Sequence, residues 1–474
     1  MSHAPSPALL ARLADILGPK GFSADPDVVA PWLTDWRGKY HGQTAAMLSP
    51  ATTAEVAAGG GARAPPRPPL VPQGGNSGMV GGATPDASGR QLLLSLRRMN
   101  HIRALDTTAR IVVAEAGVIL EHLHHAALHQ GLRFPLTLGG KGSATVGGLV
   151  STNAGGTQVL RHGTMRALVA GIEAVLPDGR IFEGLAPLKK DNRGYDLKHL
   201  FCGAEGTLGV VTAASLRLVP ANAARQTAWI GLASPDDALL LLRRLDAALG
   251  DALEGFEIIP HPVLEAVLRH IPQTRHPLAE PSPWYALVEL AGDDAALLGE
   301  ELERELATAL DARLIHDVAL AKNDRESEDF WRLRDSISEA ERAEGPALQH
   351  DISVPVDLMP RFIADNPDRL AAAFPGIRTA SFGHLGDGNI HYHVQPPESA
   401  DGAAWLAEHG AAASRLVYAH VVELGGSISA EHGIGQMKRD ILAELDSPAR
   451  LAALRAIKAG LDSARFFNPG KLIG

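Results

Sequence analysis

The chain has a single cysteine and no excess of basic residues. Cys202 cannot form an internal disulfide, so a reducing compartment is expected. The formal net charge is −10, with both signs spread along the chain. This argues against nucleic acid or an anionic membrane as a partner, because either favours a basic patch. The N-terminus shows neither a signal-peptide pattern nor an apolar run of membrane-spanning length. We therefore expect a soluble, cytoplasmic protein.

The length of 474 residues and the hydrophobic content of 45% predict more than one domain. From about Leu70 to Pro220, short β-branched runs alternate with glycine clusters, which predicts a sheet-rich domain with few long helices. After Pro220, predicted strands and helices alternate, and the last part is helical. The sequence therefore predicts the α+β class.

Residues 56–69 (VAAGGGARAPPRPP) interrupt this pattern. They follow a predicted helix start at Thr52 and Thr53, yet the three glycines and four prolines in the stretch disfavour a helix. We interpret the stretch either as an insertion or local frame change in the coding sequence, or as a low-complexity linker.

Three glycine-rich loops fall within the predicted sheet-rich domain. Residues 72–78 (PQGGNSG) can direct backbone N–H groups at an anion, and Asn76 and Ser77 add donors, as in a pyrophosphate cradle. One such loop alone is more often a tight turn, but residues 138–148 and 202–210 are also rich in glycine. Three loops favour a long ligand such as a dinucleotide. Neither a Walker A pattern nor a Rossmann fingerprint is present, which argues against a Rossmann domain.

The stretch FGHLGDGNIHYHV at residues 382–394 predicts a hairpin that presents three histidines. His391 and His393 share one face of an extended strand, and His384 can converge on them from across the Gly-Asp-Gly turn. A carboxylate, such as the one in the AEHG sequence at residues 430–433, would complete a three-ligand site. A lone histidine on a strand is more often an ordinary polar residue, but this grouping favours a metal site.

Six motifs in order carry a resemblance to a known family: PQGGNSGMVGG, GGKGSATVGGLVSTNAGG, CGAEGTLGVVT, GHLGDGNIH, AEHGIG and FNPGKL. Together they resemble the FAD-linked oxidases of the vanillyl-alcohol-oxidase fold, and most nearly the branch of D-2-hydroxyglutarate and D-lactate dehydrogenases. The resemblance implies an FAD-binding domain of the p-cresol methylhydroxylase type over residues 1–220. It also implies a ferredoxin-like α+β domain for substrate and metal over 221–454, and a C-terminal segment, 455–474, that returns to the flavin.

The resemblance also assigns site residues. For FAD, bound without a covalent link, it implies Pro72, Gln73, Gly74, Gly75, Asn76, Ser77, Gly78, Ser143, Gly147, Gly148, Ser151, Asn153, Glu205, Gly206, Val210 and Asn468. The divalent metal would be held by His384, His391 and Glu431, with zinc first and manganese or iron as alternatives. His432 is similar to the family's catalytic base. Glu205 and Asn468 could instead be an ordinary carboxylate and an ordinary turn residue.

These assignments imply oxidation of a D-2-hydroxy acid to the 2-oxo acid. The acid would chelate the metal, His432 would take the hydroxyl proton, and the C2 hydride would pass to the flavin. Arg334 is similar to the family's arginine for the substrate carboxylate, and Ser338 lies one turn later on the same predicted helix. The alternative for Arg334 is a surface ion pair with Asp335 or Glu341.

Two predicted substrate-binding positions depart from the D-2-hydroxyglutarate dehydrogenase pattern. Gln349 stands where those enzymes tend to have lysine, and His393 where they tend to have asparagine. Gln349 would bind a distal carboxylate less strongly, because an amide offers a neutral hydrogen bond in place of a charge-assisted one. His393 could restore the charge or simply fill the pocket. D-2-hydroxyglutarate is the first choice of substrate, with D-lactate, D-malate or another D-2-hydroxy acid as the alternative.

The resemblance also bears on partners. It implies an electron-transfer flavoprotein or a quinone as the electron acceptor, and a homodimer is the common default among oligomers. A flavin-bearing protein without this chemistry is a competing interpretation, and so is a non-functional homologue. The enzyme is favoured because every implied metal-binding and base position is filled.

Overall fold

The computed structural model describes residues 4–60, 67–222 and 224–473. The described chain forms two compact units, which are treated separately below. The first comprises Met1–Gly156, His162–Ala221 and Glu431–Gly474, and the second comprises Thr157–Arg161 and Asn222–Ala430. The change after Ala221 falls beside the predicted limit at residue 220. The chain rejoins the first unit at Glu431, earlier than the predicted residue 455.

The first unit is built on short strands. They are β1 (Phe22–Ser23), β2 (Met47–Leu48), β3 (Leu70–Gln73), β4 (Leu92–Ser95), β5 (Ile102–Asp106), β6 (Ile111–Glu115), β7 (Leu132–Arg133), β8 (Val169–Val175), β9 (Ile181–Gly184), β10 (Val210–Arg217) and β11 (Val219–Pro220). Its helices are α1 (Pro7–Gly21), α2 (Pro26–Val29), α3 (Thr53–Gly60), α4 (Leu120–Leu128), α5 (Val146–Thr152), α7 (Met165–Leu168), α8 (Leu197–Phe201), α16 (Arg439–Leu445) and α17 (Pro448–Leu461). The change of unit at His162 falls in α6 (Val159–His162).

Two sheets carry most of this unit. One is four-stranded with the order β1-β2-β4-β3, and the other is five-stranded and antiparallel with the order β5-β6-β10-β8-β9. β10 is buried along nearly its whole length, which explains its run of small and β-branched residues. The helix start predicted before the interrupted stretch is present, because Thr53–Gly60 forms α3. Residues 61–66 of that stretch lie outside the described residues.

The second unit is organised around one antiparallel sheet. Its strands are β12 (Ala224–Leu232), β13 (Leu253–Pro260), β14 (Trp284–Gly292), β15 (Asp317–Leu320), β16 (Leu348–Ser353), β17 (Arg378–His384) and β18 (Asn389–Gln395), in the spatial order β15-β12-β14-β13-β17-β18-β16. Its helices are α9 (Pro235–Leu249), α10 (His261–His270), α11 (Ala295–Asp311), α12 (Asp324–Asp335), α13 (Ile337–Ala343), α14 (Met359–Ala373) and α15 (Gly402–Glu423).

An apolar cluster joins one face of this sheet to α10, α12 and α13. Trp229, Tyr285 and Phe382 on the strands and Leu333 and Ile337 on the helices are buried members of it. Burying side chains of this size stabilises the unit by roughly 1.5–3 kcal/mol each. The cluster fixes α12 and α13 above the central strands, and the predicted α+β class is confirmed. No helix in the described ranges is long and apolar enough to span a bilayer.

Candidate active site

Two of the glycine-rich loops pack against each other in the first unit. A Cβ added to Gly74 would lie 2.1 Å from Thr145 Oγ1, and one added to Gly75 would lie 1.7 Å from Ser143 O. Both distances are too short for any side chain, so glycine is required at both positions. The prediction that these loops act together is supported by this contact.

The side-chain amide nitrogens of Gln73 and Asn76 in the first loop are hydrogen-bonded within the protein. Gln73 Nε2 contacts Trp32 O at 3.0 Å and Ala83 O at 2.9 Å, and Asn76 Nδ2 donates to Thr34 O at 2.8 Å. Asn76 has a φ of 54°, in the left-handed region. Gln73 and Asn76 therefore shape the loop, and this leaves the binding of an anion mainly to its backbone N–H groups.

Two buried polar atoms test whether this unit fits FAD. Thr145 Oγ1 and Asn468 Oδ1 are buried and have no hydrogen-bond partner in the protein. Buried polar atoms are nearly always bonded, so each of these atoms calls for a polar ligand. Thr145 lies in the second glycine-rich loop, and Asn468 was predicted to lie near the flavin. The two atoms, an acceptor at Asn468 Oδ1 and a hydroxyl at Thr145, therefore fit a polar cofactor such as FAD.

The Glu205 carboxylate is bonded within the first unit, and the contact of Glu205 with FAD stays a prediction. Its carboxylate accepts hydrogen bonds from the backbone N–H groups of Ile434 and Gly435, each at 2.7 Å. Burial raises the pKa of Glu205, and these two bonds and the charge of Lys438 oppose the rise. The Glu205 carboxylate thus anchors the AEHGIG segment within the first unit.

Two further motifs, PQGGNSGMVGG and FNPGKL, meet at this anchor. Asn468 Nδ2 donates to Gly82 O at 2.9 Å and to Glu205 O at 2.7 Å. Glu205, Asn468 and Gly433 have φ values of 52°, 44° and 80°. A Cβ on Gly435 would lie 2.2 Å from the Val80 carbonyl oxygen. Left-handed backbone at non-glycine residues is costly, and it concentrates where function constrains the chain.

The other predicted cofactor residues occupy defined elements of the first unit. Gly147, Gly148 and Ser151 lie in α5, and Asn153 ends that helix with a φ of 52°. Asn153 Oδ1 accepts from Thr164 Oγ1 at 3.0 Å and from Arg166 N at 2.9 Å. Further predicted residues of this unit are Gly206, which has a φ of 69°, Val210, which begins β10, and Pro72, Ser77 and Gly78, which lie in or beside β3. Their contacts with FAD stay predictions.

The second unit gathers the predicted metal and substrate residues on the sheet. The predicted hairpin is confirmed, because β17 and β18 pair across the turn. Directly paired residues project to the same face of a sheet. The cross-strand pairs that share this face are Glu257 with His384, Phe382 with His391, Asp351 with His391, and Gln349 with His393.

His384 and His391 form a close pair on this face. Their ring centroids are 5.6 Å apart, and a nitrogen of each lies within 4.8 Å of a nitrogen of the other. His384 Nδ1 is hydrogen-bonded to Glu257 Oε1, and its Nε2 lies 3.1 Å from Arg334 Nη2. Metal-binding histidines usually bond a carboxylate or carbonyl through the other ring nitrogen, so this pair fits a metal site.

Arg334 pairs with a carboxylate that sequence analysis missed. Its Nε donates to Glu257 Oε2 at 2.9 Å, and the side chains of Arg334 and Glu257 are 15% and 1% exposed. Burial opposes ionisation of Glu257, but the charges and hydrogen bonds of Arg334 and His384 hold its pKa at about 2. The signal available in the sequence was a lone glutamate in the apolar run GFEII of β13.

The predicted helix carrying Arg334 is interrupted. α12 ends at Asp335 and α13 begins at Ile337, with Ser336 between them at φ −80° and ψ −5°. The prediction that Ser338 follows Arg334 on one continuous helix is therefore wrong, because Ser338 belongs to α13. A serine and a β-branched residue at 336–337 both have modest helix propensity, which fits a break at this point.

His393 also has a partner that was not expected. Its Nδ1 lies 3.1 Å from Glu341 Oε2, and both side chains are 5% exposed. Glu341 thus pairs with His393, whereas sequence analysis considered it as a partner for Arg334. Gln349 lies opposite His393 in the strand ladder. The two positions that depart from the family pattern are therefore neighbours.

Glu431 and His432 belong to the first unit. They begin its C-terminal segment, directly after Ala430, the last residue of the second unit. Two residues further on, Ile434 N is held by Glu205. The roles of Glu431 as a ligand and His432 as a base stay predictions.

Two family models match successive parts of the chain, and the second continues past Glu431 into the first unit. A family model for the FAD binding domain matches residues 44–184, and one for the C-terminal domain of FAD linked oxidases matches residues 221–472. A mitochondrial D-2-hydroxyglutarate dehydrogenase of Arabidopsis thaliana is 36% identical over 97% of this chain and 80% of its own. A D-2-hydroxyglutarate dehydrogenase of Xanthomonas citri pv. viticola is 36% identical over 85% of this chain and 84% of its own.

The crystal structure of p-cresol methylhydroxylase superposes with a TM-score of 0.73, at 14% identity, over 98% of this chain and 96% of that one. This likeness shows the fold, which is the one predicted from the motifs. The C-terminal family model alone covers more than half of the chain. The chain therefore belongs to the FAD-linked oxidase family, and it is an FAD-dependent oxidoreductase.

Proposed function

We propose that this protein oxidises D-2-hydroxyglutarate to the 2-oxo acid. Two D-2-hydroxyglutarate dehydrogenases match 97% and 85% of the chain at 36% identity. The observation that carries the proposal is the arrangement on the sheet of the second unit, where Arg334 lies beside the His384–His391 pair. A guanidinium recognises a carboxylate, and imidazoles bind a divalent cation, which a 2-hydroxy acid can chelate through its hydroxyl and carboxylate.

Arg334 is proposed to bind the substrate C1 carboxylate. A guanidinium has five N–H donors, so it can bind a carboxylate while its Nε stays on Glu257. The low exposure of Arg334, 15%, strengthens such a bond because water competes less for the donors. The carboxylate end of the acid would thereby be fixed and its C2 oriented.

The proposed metal ligands are His384, His391 and Glu431. Two imidazoles and one carboxylate suit zinc, manganese or iron and keep positions open for substrate, as a catalytic site requires. A divalent cation held there would lower the pKa of the substrate hydroxyl. His432 is proposed to accept the hydroxyl proton, and its neighbour Ile434 is anchored through Glu205.

The first unit is proposed to hold FAD through the two packed glycine-rich loops, with Thr145 and Asn468 adding polar contacts. Bound FAD supplies the hydride acceptor. An electron-transfer flavoprotein or a quinone as the final acceptor, a homodimer and a reducing, cytoplasmic location belong to the same proposal, on the strength of the family resemblance and the single cysteine.

Anaerobic bleaching of the flavin tests this function. The purified holoenzyme is mixed with the D- and L-forms of 2-hydroxyglutarate, lactate and malate, before and after incubation with a chelator. We expect D-2-hydroxyglutarate to bleach the flavin fastest and the chelator to slow it. A larger kcat/KM for D-lactate would overturn the choice of substrate. Bleaching by none of the acids would overturn the activity itself.

A further inference from the structure

Glu257 is a buried carboxylate to which the proposed mechanism gives no part. It lies in β13, directly opposite His384 of β17, and is 1% exposed. Its two oxygens have different partners, because Oε1 bonds His384 Nδ1 and Oε2 bonds Arg334 Nε. In the proposed function, His384 binds the metal and Arg334 binds the substrate carboxylate.

We propose that Glu257 is a positioning residue that sets the tautomer of His384 and the orientation of Arg334 for the proposed reaction. An ionised carboxylate only accepts hydrogen bonds, so the proton of a neutral His384 ring must be on Nδ1. The lone pair is then on Nε2, which is the nitrogen that can bind a cation. This inference rests on the proposed function, since it concerns the same metal and substrate residues.

The second oxygen of Glu257 extends the same control to Arg334. The bond at Arg334 Nε fixes the plane of the guanidinium, and Arg334 Nη2 then lies 3.1 Å from His384 Nε2. The three side chains therefore form a closed triangle within the second unit. A cation and Arg334 compete for the lone pair of His384 Nε2, and the negative charge of Glu257 favours the cation.

The same strand provides a matched control. Glu254 also lies in β13, is also 1% exposed, and also pairs with an arginine, since Arg161 Nη1 lies 3.1 Å from its Oε2. Replacing either carboxylate removes a buried charge from the same strand next to an arginine. Only Glu257 contacts a proposed metal ligand, so a general loss of stability would appear in both variants.

The test compares wild type, Glu257→Gln and Glu254→Gln as flavin-loaded enzymes. Zn²⁺ affinity is measured by competition with a chromogenic chelator, and flavin content is read from the absorption spectrum. We expect Glu257→Gln to lower Zn²⁺ affinity by about 10–100-fold at unchanged flavin content. Glu254→Gln should leave the affinity within about twofold of wild type. Equal Zn²⁺ affinity in Glu257→Gln and wild type overturns the proposal.

A charge-conserving variant keeps the test decisive if the glutamine variant is unstable. Glu257→Asp retains the charge but withdraws the carboxylate from His384, so a Zn²⁺ affinity between those of wild type and Glu257→Gln is expected. Full wild-type affinity in Glu257→Asp, together with loss of flavin in Glu257→Gln, would indicate a structural role only and overturn the proposal. Absence of Zn²⁺ binding in the wild type would overturn both the proposed metal site and the positioning role of Glu257. Zn²⁺ binding in the wild type that Glu257→Gln leaves unchanged would overturn the positioning role alone.

Discussion

Each unit contains a buried glutamate that joins distant parts of the chain, and the two are satisfied in different ways. Glu205 in the first unit accepts from two neutral backbone N–H groups, those of Ile434 and Gly435. Glu257 in the second unit bonds two side chains that can carry positive charge, Arg334 and His384. Burial raises the pKa of Glu205, whereas contact with cationic groups holds that of Glu257 at about 2.

The difference shows what each unit requires from a buried carboxylate. Backbone N–H groups fix a segment in place without adding a charge, so Glu205 acts mainly on geometry. An arginine in contact keeps Glu257 ionised, so this carboxylate supplies a permanent negative charge beside His384. The first unit therefore holds a segment in position, and the second unit sets the electrostatics of the proposed metal site.

Removing the charged partner of Glu257 should have the largest effect. We expect Arg334→Gln to lower kcat/KM for D-2-hydroxyglutarate by about 10²–10³-fold, mainly through KM. The substitution removes the guanidinium that is proposed to bind the substrate carboxylate, and it leaves the buried charge of Glu257 without its arginine partner. Steady-state kinetics measure this. Arg332→Gln on the exposed side of the same helix is the control and should be near neutral. An unchanged KM in Arg334→Gln would contradict the assignment.

The same variant should change Zn²⁺ affinity in the direction opposite to Glu257→Gln. Arg334→Gln removes a positive charge and a competitor for His384 Nε2, so tighter Zn²⁺ binding is expected, by about tenfold at a dielectric constant close to that of water, about 80, and by more at lower values. Chelator competition without substrate measures it. Weaker binding in Arg334→Gln would show that the guanidinium supports the cation site.

Cys202 shows what burial does when the neighbouring guanidinium, that of Arg166, bonds the backbone carbonyl of the residue and not its thiol. Burial raises the pKa of its thiol to about 11, although the charge of Arg166 acts to lower it. At pH 8 the thiolate fraction should be about 10²-fold below that of an ordinary cysteine. Alkylation with iodoacetamide should therefore be at least that much slower in the native protein than in urea. Similar rates in both states would contradict the burial of Cys202.

Glu205→Gln tests the carboxylate that is held by backbone. A glutamine oxygen can accept from one of the two N–H groups, but its NH₂ then faces the other, and the lost bond should cost about 1–3 kcal/mol. Urea unfolding of the flavin-loaded protein measures this, with the exposed Glu183→Gln of β9 as the control. A cost no larger than that of Glu183→Gln would show that the anchor is dispensable.

The difference in stability between wild type and Glu205→Gln should depend on pH in a defined direction. The pKa of Glu205 is raised in the folded state, so the native protein binds this proton more tightly than the unfolded chain does. The resulting stability is present below the unfolded pKa and is lost as pH rises through the folded pKa. Wild type should therefore gain stability relative to Glu205→Gln as pH falls from 7 toward 5. A constant difference would contradict the raised pKa.

Sequence analysis found what local motifs encode. The glycine-rich loops and the histidine hairpin were predicted because turns and strands depend on residues that are close together in the sequence. The partners of the buried carboxylates were missed, because Glu205 and Gly435, or Glu257 and His384, are brought together only by the fold. The break at Ser336 was missed because neither glycine nor proline marks it, and serine and isoleucine have only modestly lower helix propensity than their neighbours.

Glu341 is a third buried glutamate, and its partner is the imidazole of His393. An imidazole can bond a carboxylate in its neutral or its charged form, so this pair is intermediate between Glu205, with its neutral backbone partners, and Glu257, with its arginine. His393→Asn keeps a polar side chain but cannot become cationic. If His393 faces the distal carboxylate of the substrate, this change should lower kcat/KM for D-2-hydroxyglutarate by about tenfold and leave that for D-lactate nearly unchanged. Glu341→Gln, which keeps the imidazole, is the matched control. An equal loss for both acids would show that His393 has a structural role. The distal carboxylate would then need another partner, and Gln349, which pairs with His393 between β16 and β18, is the nearest candidate.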